Sequence, residues 1–249
     1  MADSWLVKVN NISKRFDSLS VLDDVSIQVN RGENLVVFGQ SGTGKSVLLK
    51  CIIGLLHPDG GEIFINGIRV DNLPTKKLNN IRKNIGFLFQ SAALYDSMSV
   101  RENLEFPLKK HFDLSQKELN EKIINTLELV SLEKAIDKMP SELSGGMRKR
   151  IGLARSIITD PELMLYDEPT TGLDPITSKE ISELIIALQR KLNMTSIVVT
   201  HDLVCAKIIA DRAIFLRDAK IFCEGTIEDL TKSNDPFLIN FFSTEIYKG

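Results

Sequence analysis

The chain has 249 residues, 43% of them hydrophobic and 26% charged, with a formal net charge of −2. That length and apolar fraction bury a sizeable core, in one domain or in a core with a smaller subdomain, and exclude a disordered chain. Near-neutral charge gives no global argument for binding nucleic acid or an anionic membrane surface.

Residues 6–9, 12–16 and 25–29 alternate apolar with polar side chains, the pattern of half-buried antiparallel strands. Residues 35–38 are continuously apolar, end in a glycine-rich turn and lead into a helix over 45–56. A strand at 62–65 closes on Asn66-Gly67, a hairpin turn. Residues 85–89 form another buried strand. From about 100 to 139, charged segments carry leucines at helical spacing, as in 116–130, and predict a helical subdomain. Strand–helix alternation then returns, with strands at 163–166 and 196–200, helices at 175–192 and 203–209, and final strands at 214–216 and 221–223. Such alternation implies a largely parallel sheet covered by helices. Residues 235–249, with Phe237, Phe241 and Phe242, read as a docking helix or tail. No apolar run approaches the roughly 20 residues a membrane helix needs. The opening Met1-Ala2-Asp3-Ser4 resembles neither a signal nor a transit peptide. The expected location is cytoplasmic or stromal, with any membrane role supplied by partner chains. Cys51, Cys205 and Cys223 are scattered, which fits reduced thiols.

Two segments carry phosphate chemistry. Gly39-Gln40-Ser41-Gly42-Thr43-Gly44-Lys45-Ser46 fits G-x-x-x-x-G-K-[ST] between a buried strand and a helix. Its backbone N–H groups and the helix start can hold phosphate oxygens. Lys45 reaches the β- and γ-phosphates, and the Ser46 hydroxyl can ligate Mg²⁺. The second segment is the apolar strand 163–166, ending in Asp167-Glu168. At the same sheet edge, Asp167 faces the Mg²⁺ through water, and Glu168 can polarise an attacking water as general base.

The order of further segments resembles the ABC ATPases over residues 6–230. Leu143-Ser144-Gly145-Gly146-Met147 opens an apolar helix at 148–158, and Thr171-Gly172-Leu173-Asp174 follows the acidic pair. Gln90 follows the strand at 85–89, and His201 follows the strand at 196–200. The implied fold is α/β: a phosphate-loop NTPase (RecA-like) core with an antiparallel β subdomain and an inserted α-helical subdomain. The ATPase domain then spans 1–234, with its core at about 1–90 and 160–234 and the helical subdomain at about 91–159. The resemblance implies ATP and Mg²⁺ as ligands. It implies that Gln90 contacts Mg²⁺ and the attacking water, that His201 contacts the γ-phosphate and steadies Glu168, and that Asp174 communicates across a dimer. Phe16 stands where the family places a ring under the adenine. Ser144, Gly145 and Gly146 resemble the LSGGQ motif, which binds the γ-phosphate held by a second copy. One such motif and one phosphate loop per chain imply a head-to-tail pair around two ATPs.

A narrower resemblance joins four segments to the ATPases of Mla/MCE-type lipid transporters. These are Gly42 with Thr43 and the residues to Lys50, Phe89 with Gln90 onward to Leu108, Leu143 to Arg150, and Tyr166 to Ile176. Met147 and Val47 depart from the commonest ABC pattern, which has Gln and Thr there. The resemblance implies an integral permease, an MCE-domain lipid-binding protein and, in some bacteria, a STAS-domain protein as partners. It also implies a place on the cytoplasmic face of the inner membrane. The alternatives are an ABC ATPase for another cargo, such as amino acids, and a non-transport ABC protein acting on nucleic acid or ribosomes. The basic run Arg148-Lys149-Arg150 reads as a solvated helix face near the nucleotide, and nucleic acid is not expected as a partner.

Overall fold

The computed structural model describes residues 4–40 and 42–246. Two long strands, β1 (Trp5–Phe16) and β2 (Leu19–Asn30), pair antiparallel. The expected break between 9 and 12 is a bulge within one strand. Asn11 takes a φ of 49°, and the pairing register shifts between Val9 and Ile12. β4 (Gly60–Ile65) pairs with β1, and β5 (Ile68–Arg69) folds back on β4. The hairpin turns through Asn66 (φ 51°) and Gly67 (φ 75°), the two positive angles a two-residue turn of this kind requires. The resulting sheet has the order β2-β1-β4-β5.

The second sheet contains β3 (Asn34–Phe38), β6 (Ile85–Leu88), β7 (Leu163–Asp167), β8 (Thr195–Val199), β9 (Arg212–Arg217) and β10 (Lys220–Gly225), in the order β10-β9-β3-β8-β7-β6. β10, at one edge, pairs antiparallel with β9; the other five strands run parallel to one another. β3, β7 and β8 are buried at every residue, as a sheet covered on both faces demands. Side chains alternate between two cores. Leu35 and Val37 pack with α1 (Lys45–Ile52) and the first sheet, while Val36 and Phe38 face the helices on the other side.

α1 ends at Ile52, short of the expected residue 56. Gly54 (φ 71°) closes it: the Leu55 N–H donates to the Lys50 carbonyl and the Gly54 N–H to the Cys51 carbonyl. A left-handed glycine just past the last turn satisfies those carbonyls and stops the helix.

The helical region holds α2 (Thr75–Arg82), α3 (Val100–His111), α4 (Gln116–Leu129) and α5 (Gly145–Ile157). α3 and α4 each start at a reciprocal cap, Ser99 with Glu102 and Ser115 with Glu118. Leu119, Ile123 and Leu127 of α4 join Leu104 and Leu108 of α3 and Leu153 of α5 in one core. α6 (Pro175–Leu192), α7 (Leu203–Ile209) and α8 (Ile227–Thr231) lead to α9 (Pro236–Ile246). α9 docks on its own chain, with Phe241 against Phe215 at 4.7 Å between ring centroids and Phe242 against Phe38 at 5.8 Å. Among the described residues, no helix is long and apolar enough to cross a membrane.

Candidate active site

Parallel strands deliver their following loops to one edge of a sheet. β3, β8, β7 and β6 are successive neighbours, and their carboxyl ends bring together the glycine-rich loop, His201, Glu168 and Gln90. These groups line a cavity of about 690 Å³.

The loop after β3 has left-handed backbone at Gly42 (φ 82°) and Gly44 (φ 99°). A Cβ at Gly44 would lie 2.4 Å from the Val21 carbonyl oxygen, so that position tolerates no side chain. Thr43 Oγ1 donates to the Gln40 carbonyl at 2.8 Å and braces the loop. Lys45 is 6% exposed, and its Nζ donates to the carbonyls of Gly39 (2.7 Å) and Gln40 (3.0 Å). Burial lowers its pKa, opposed by the carboxylates of Glu168 and Asp167. Gln40, Gly42, Gly44, Ser46 and Val47 line the cavity, while Ser41 lies outside the described residues.

Ser46 Oγ donates to Asp167 Oδ1 at 2.6 Å. Among the described residues, no group of three or more His, Cys, Asp or Glu side chains gathers as a closed metal site. The Ser46 hydroxyl, the Asp167 carboxylate and the Gln90 side chain at the cavity wall are instead a sparse oxygen-donor set. It fits Mg²⁺, which commonly takes one or two protein ligands together with phosphate oxygens and water.

Glu168 is held through both its backbone and its carboxylate. Its backbone is left-handed (φ 50°), and its N–H donates to the Val199 carbonyl at 2.9 Å. One carboxylate oxygen stands 3.6 Å from Lys45 Nζ; the other lies 2.9 Å from His201 Nδ1 and accepts from Thr171 Oγ1 at 3.3 Å. Burial pushes its pKa up, but the His201 hydrogen bond and charge, with the Lys45 charge, outweigh it. The net shift is downward, so Glu168 is a carboxylate at neutral pH, able to accept a proton.

Phe16 is 43% exposed at the cavity rim and not in the core. Lys14 Nζ lies 5.6 Å from its ring centroid. An exposed ring there can stack a planar base.

Gly39, Thr43 and Asp167 stand behind this cavity, bonded to residues that line it, and another group of anticipated residues lies apart from it. Ser144, Gly145, Gly146 and Asp174 line a separate concavity of about 430 Å³. Ser144 caps α5, accepting from the Met147 N–H at 3.3 Å. Asp174 caps α6, accepting from the N–H groups of Ile176 and Thr177, both at 3.0 Å.

The structure corrects one expectation and adds three contributors. Lys149 is not on a solvated face: it is 5% exposed, and its Nζ donates to the carbonyls of Gln90 (2.6 Å) and Glu168 (3.2 Å). Burial pulls its pKa down to about 8, against the charges of Glu168 and Asp167. Phe237, Asn240 and Phe241 of α9 also line the main cavity. The phenylalanines signalled a docking helix in the sequence, but nothing local told where it docks.

Comparison with known proteins places the chain. The ABC transporter family matches residues 22–171. The chain is 41% identical over 240 residues to the intermembrane phospholipid transport system ATP-binding protein MlaF of Haemophilus influenzae, covering 96% of this chain and 91% of that one. It is 38% identical to the probable ribonucleotide transport ATP-binding protein mkl of Mycobacterium bovis, covering 95% of this chain and 66% of that one. In fold it matches a dimeric post-hydrolysis structure of the ATP-binding cassette MJ0796 bound to ADP and Pi, with a TM-score of 0.82 and 32% identity, covering 89% of this chain and 99% of that one. The chain belongs to the ABC transporter family, as one of its ATP-hydrolysing cassettes.

Proposed function

We propose that the chain powers phospholipid movement between the inner membrane and the envelope, as the ATPase of an Mla/MCE-type transporter. The similarity to MlaF along nearly the whole chain carries this reading. Two copies would pair, in line with the dimeric form of the similar cassette, and one phosphate loop and one LSGG-like segment per chain would set them head to tail. The pair would sit on the cytoplasmic face of the inner membrane, bound to an integral permease. An MCE-domain lipid-binding protein and a STAS-domain protein would complete the system. Residues 1–90 and 160–234 would form the core and about 91–159 the helical subdomain, with the surface from Gln90 to Val100 meeting the permease.

The proposed chemistry assigns each side chain a task. Adenine stacks on Phe16. The loop from Gly39 to Ser46 and Val47 cradles the phosphates, and Lys45 exchanges its carbonyl partners for the β- and γ-oxygens. Ser46, Gln90 and Asp167 would hold Mg²⁺, which neutralises charge on the phosphate oxygens when bound. Glu168 takes a proton from the water that attacks the γ-phosphorus, and His201 holds that carboxylate in place. Ser144, Gly145 and Gly146 of the second copy close over the γ-phosphate, with the positive helix end favouring the anion. Asp174 lies beside them and would relay closure between copies.

The test is reconstitution of the chain with its co-purifying membrane proteins in phospholipid vesicles. Wild type should move labelled phospholipid with ATP and release phosphate. Glu168→Gln should bind ATP, lock the dimer and lose turnover by at least about a hundredfold, in line with removal of a general base. Full turnover in Glu168→Gln would remove the base assignment. The similarity to mkl supports a second reading, with a different cargo. Partners that move ribonucleotide and not lipid would favour it.

A further inference from the structure

We propose that Lys149 is a positioning residue that couples the two ATP sites, by tying the partner-facing helix α5 to the backbone of its own chain's Gln90 and Glu168. The proposal rests on the roles given above to Glu168 and to Ser144, Gly145 and Gly146.

Lysine is rarely buried, because its charge is strongly hydrated. A buried lysine normally finds a carboxylate. Among the described residues Lys149 forms no ion pair; its partners are the two main-chain carbonyls. Those carbonyls belong to the first residue past β6 but one and the first residue past β7, the two loops that present Gln90 and Glu168 to the cavity. A hydrogen bond from an ammonium is stronger than a neutral one, so the link is firm.

Glu168 needs such a link. Its left-handed backbone is costly for a residue with a side chain and must be held by its surroundings. The Val199 carbonyl holds its N–H, and the Lys149 ammonium and the Thr171 N–H, at 3.3 Å, hold its carbonyl.

The other end of the link is the helix itself. Ser144 caps α5, and Lys149 follows in its second turn, about 7 Å along the axis. A helix transmits displacement over that length as a rigid rod. Docking of the second copy's γ-phosphate on Ser144 would therefore shift or steady Lys149. Both loops of the first site would register it. Arg148 and Arg150 do not share this position: the Arg150 guanidinium pairs with Glu180 at 3.0 Å, and Arg148 bonds the Leu143 carbonyl.

The test uses the full chain in its membrane complex, with Lys149→Met and Lys149→Gln. The methionine removes every donor; the glutamine keeps one. Lys149→Met should lower kcat by about tenfold or more while KM for ATP stays within about twofold, the mark of an interaction that serves catalysis and not binding. Its Hill coefficient for ATP should fall toward 1. Lys149→Gln should recover part of both. Thermal unfolding monitors folding, and if Lys149→Met does not fold, the glutamine variant decides alone. Unchanged kcat and Hill coefficient in the folded variants would overturn the proposal. So would a loss of ATP affinity parallel to the loss of kcat, because the lysine would then only support the pocket. Glu168→Gln in the same assay separates the failures: if it stays active, the base assignment falls; if it is inactive while the Lys149 variants are normal, only the coupling falls.

Discussion

Glu168 and Cys205 are both buried, and burial disfavours the charged form of each. At Glu168 the His201 and Lys45 partners reverse the outcome, whereas at Cys205 nothing does, and the thiol is pushed up to about 12 from an ordinary 9.0. A folded pKa above the unfolded one gives stability that is complete below the unfolded value and lost as pH rises toward the folded one. The advantage of wild type over Cys205→Ala in urea unfolding should therefore narrow by about 1–2 kcal/mol between pH 8.5 and 10.5. A constant gap would show that the thiol does not titrate differently on folding. The place of Gly44, Lys45, Ser46 and Glu168 at the candidate site was legible in the sequence because the pattern is local: a loop needs its glycines and a strand ends in its carboxylates. Lys149 was not. It sits between two arginines, and its burial is decided by how α5 packs against β6, which no run of neighbours reveals. Thr171 was visible only as part of a segment, with no hint that it reaches Glu168.

Hydrophobic periodicity placed most elements, but their ends follow other rules. α1 stops at a left-handed glycine, and β1 continues through a bulge where the apolar pattern breaks. The destination of α9 depends on shape. Its phenylalanines meet Phe38 and Phe215 edge to face, and two of them continue as the cavity wall. Phe241→Ala should cost about 3 kcal/mol of stability by denaturant unfolding, as for other large-to-small changes in a core. It should also weaken ATP binding in a nucleotide titration. Ile239→Ala, on the exposed side of the same helix, should stay within about 0.5 kcal/mol and bind ATP normally. Equal effects of the two would mean that α9 contributes no specific packing to the site.

The strand order β9-β3-β8-β7-β6 depends on pairings between distant parts of the chain, such as Val36 with Val198 and Leu165 with Ile197. The alternation of strands and helices announced a parallel sheet, but adjacency within it came only with the folded structure. That adjacency sets a rule for how the chain can change length. Side chains alternate along a strand, so one extra residue inside β7 turns every later side chain of that strand to the opposite face. Asp167 and Glu168 would leave their positions beside Ser46 and His201 together. An insertion at Asp113, in the exposed connection between α3 and α4, displaces none of the strand ends. A single alanine after Leu165 should abolish phosphate release, whereas one after Asp113 should leave it within about twofold. Drift in length is thus closed to the strands whose ends form the site and open to the exposed connection between α3 and α4.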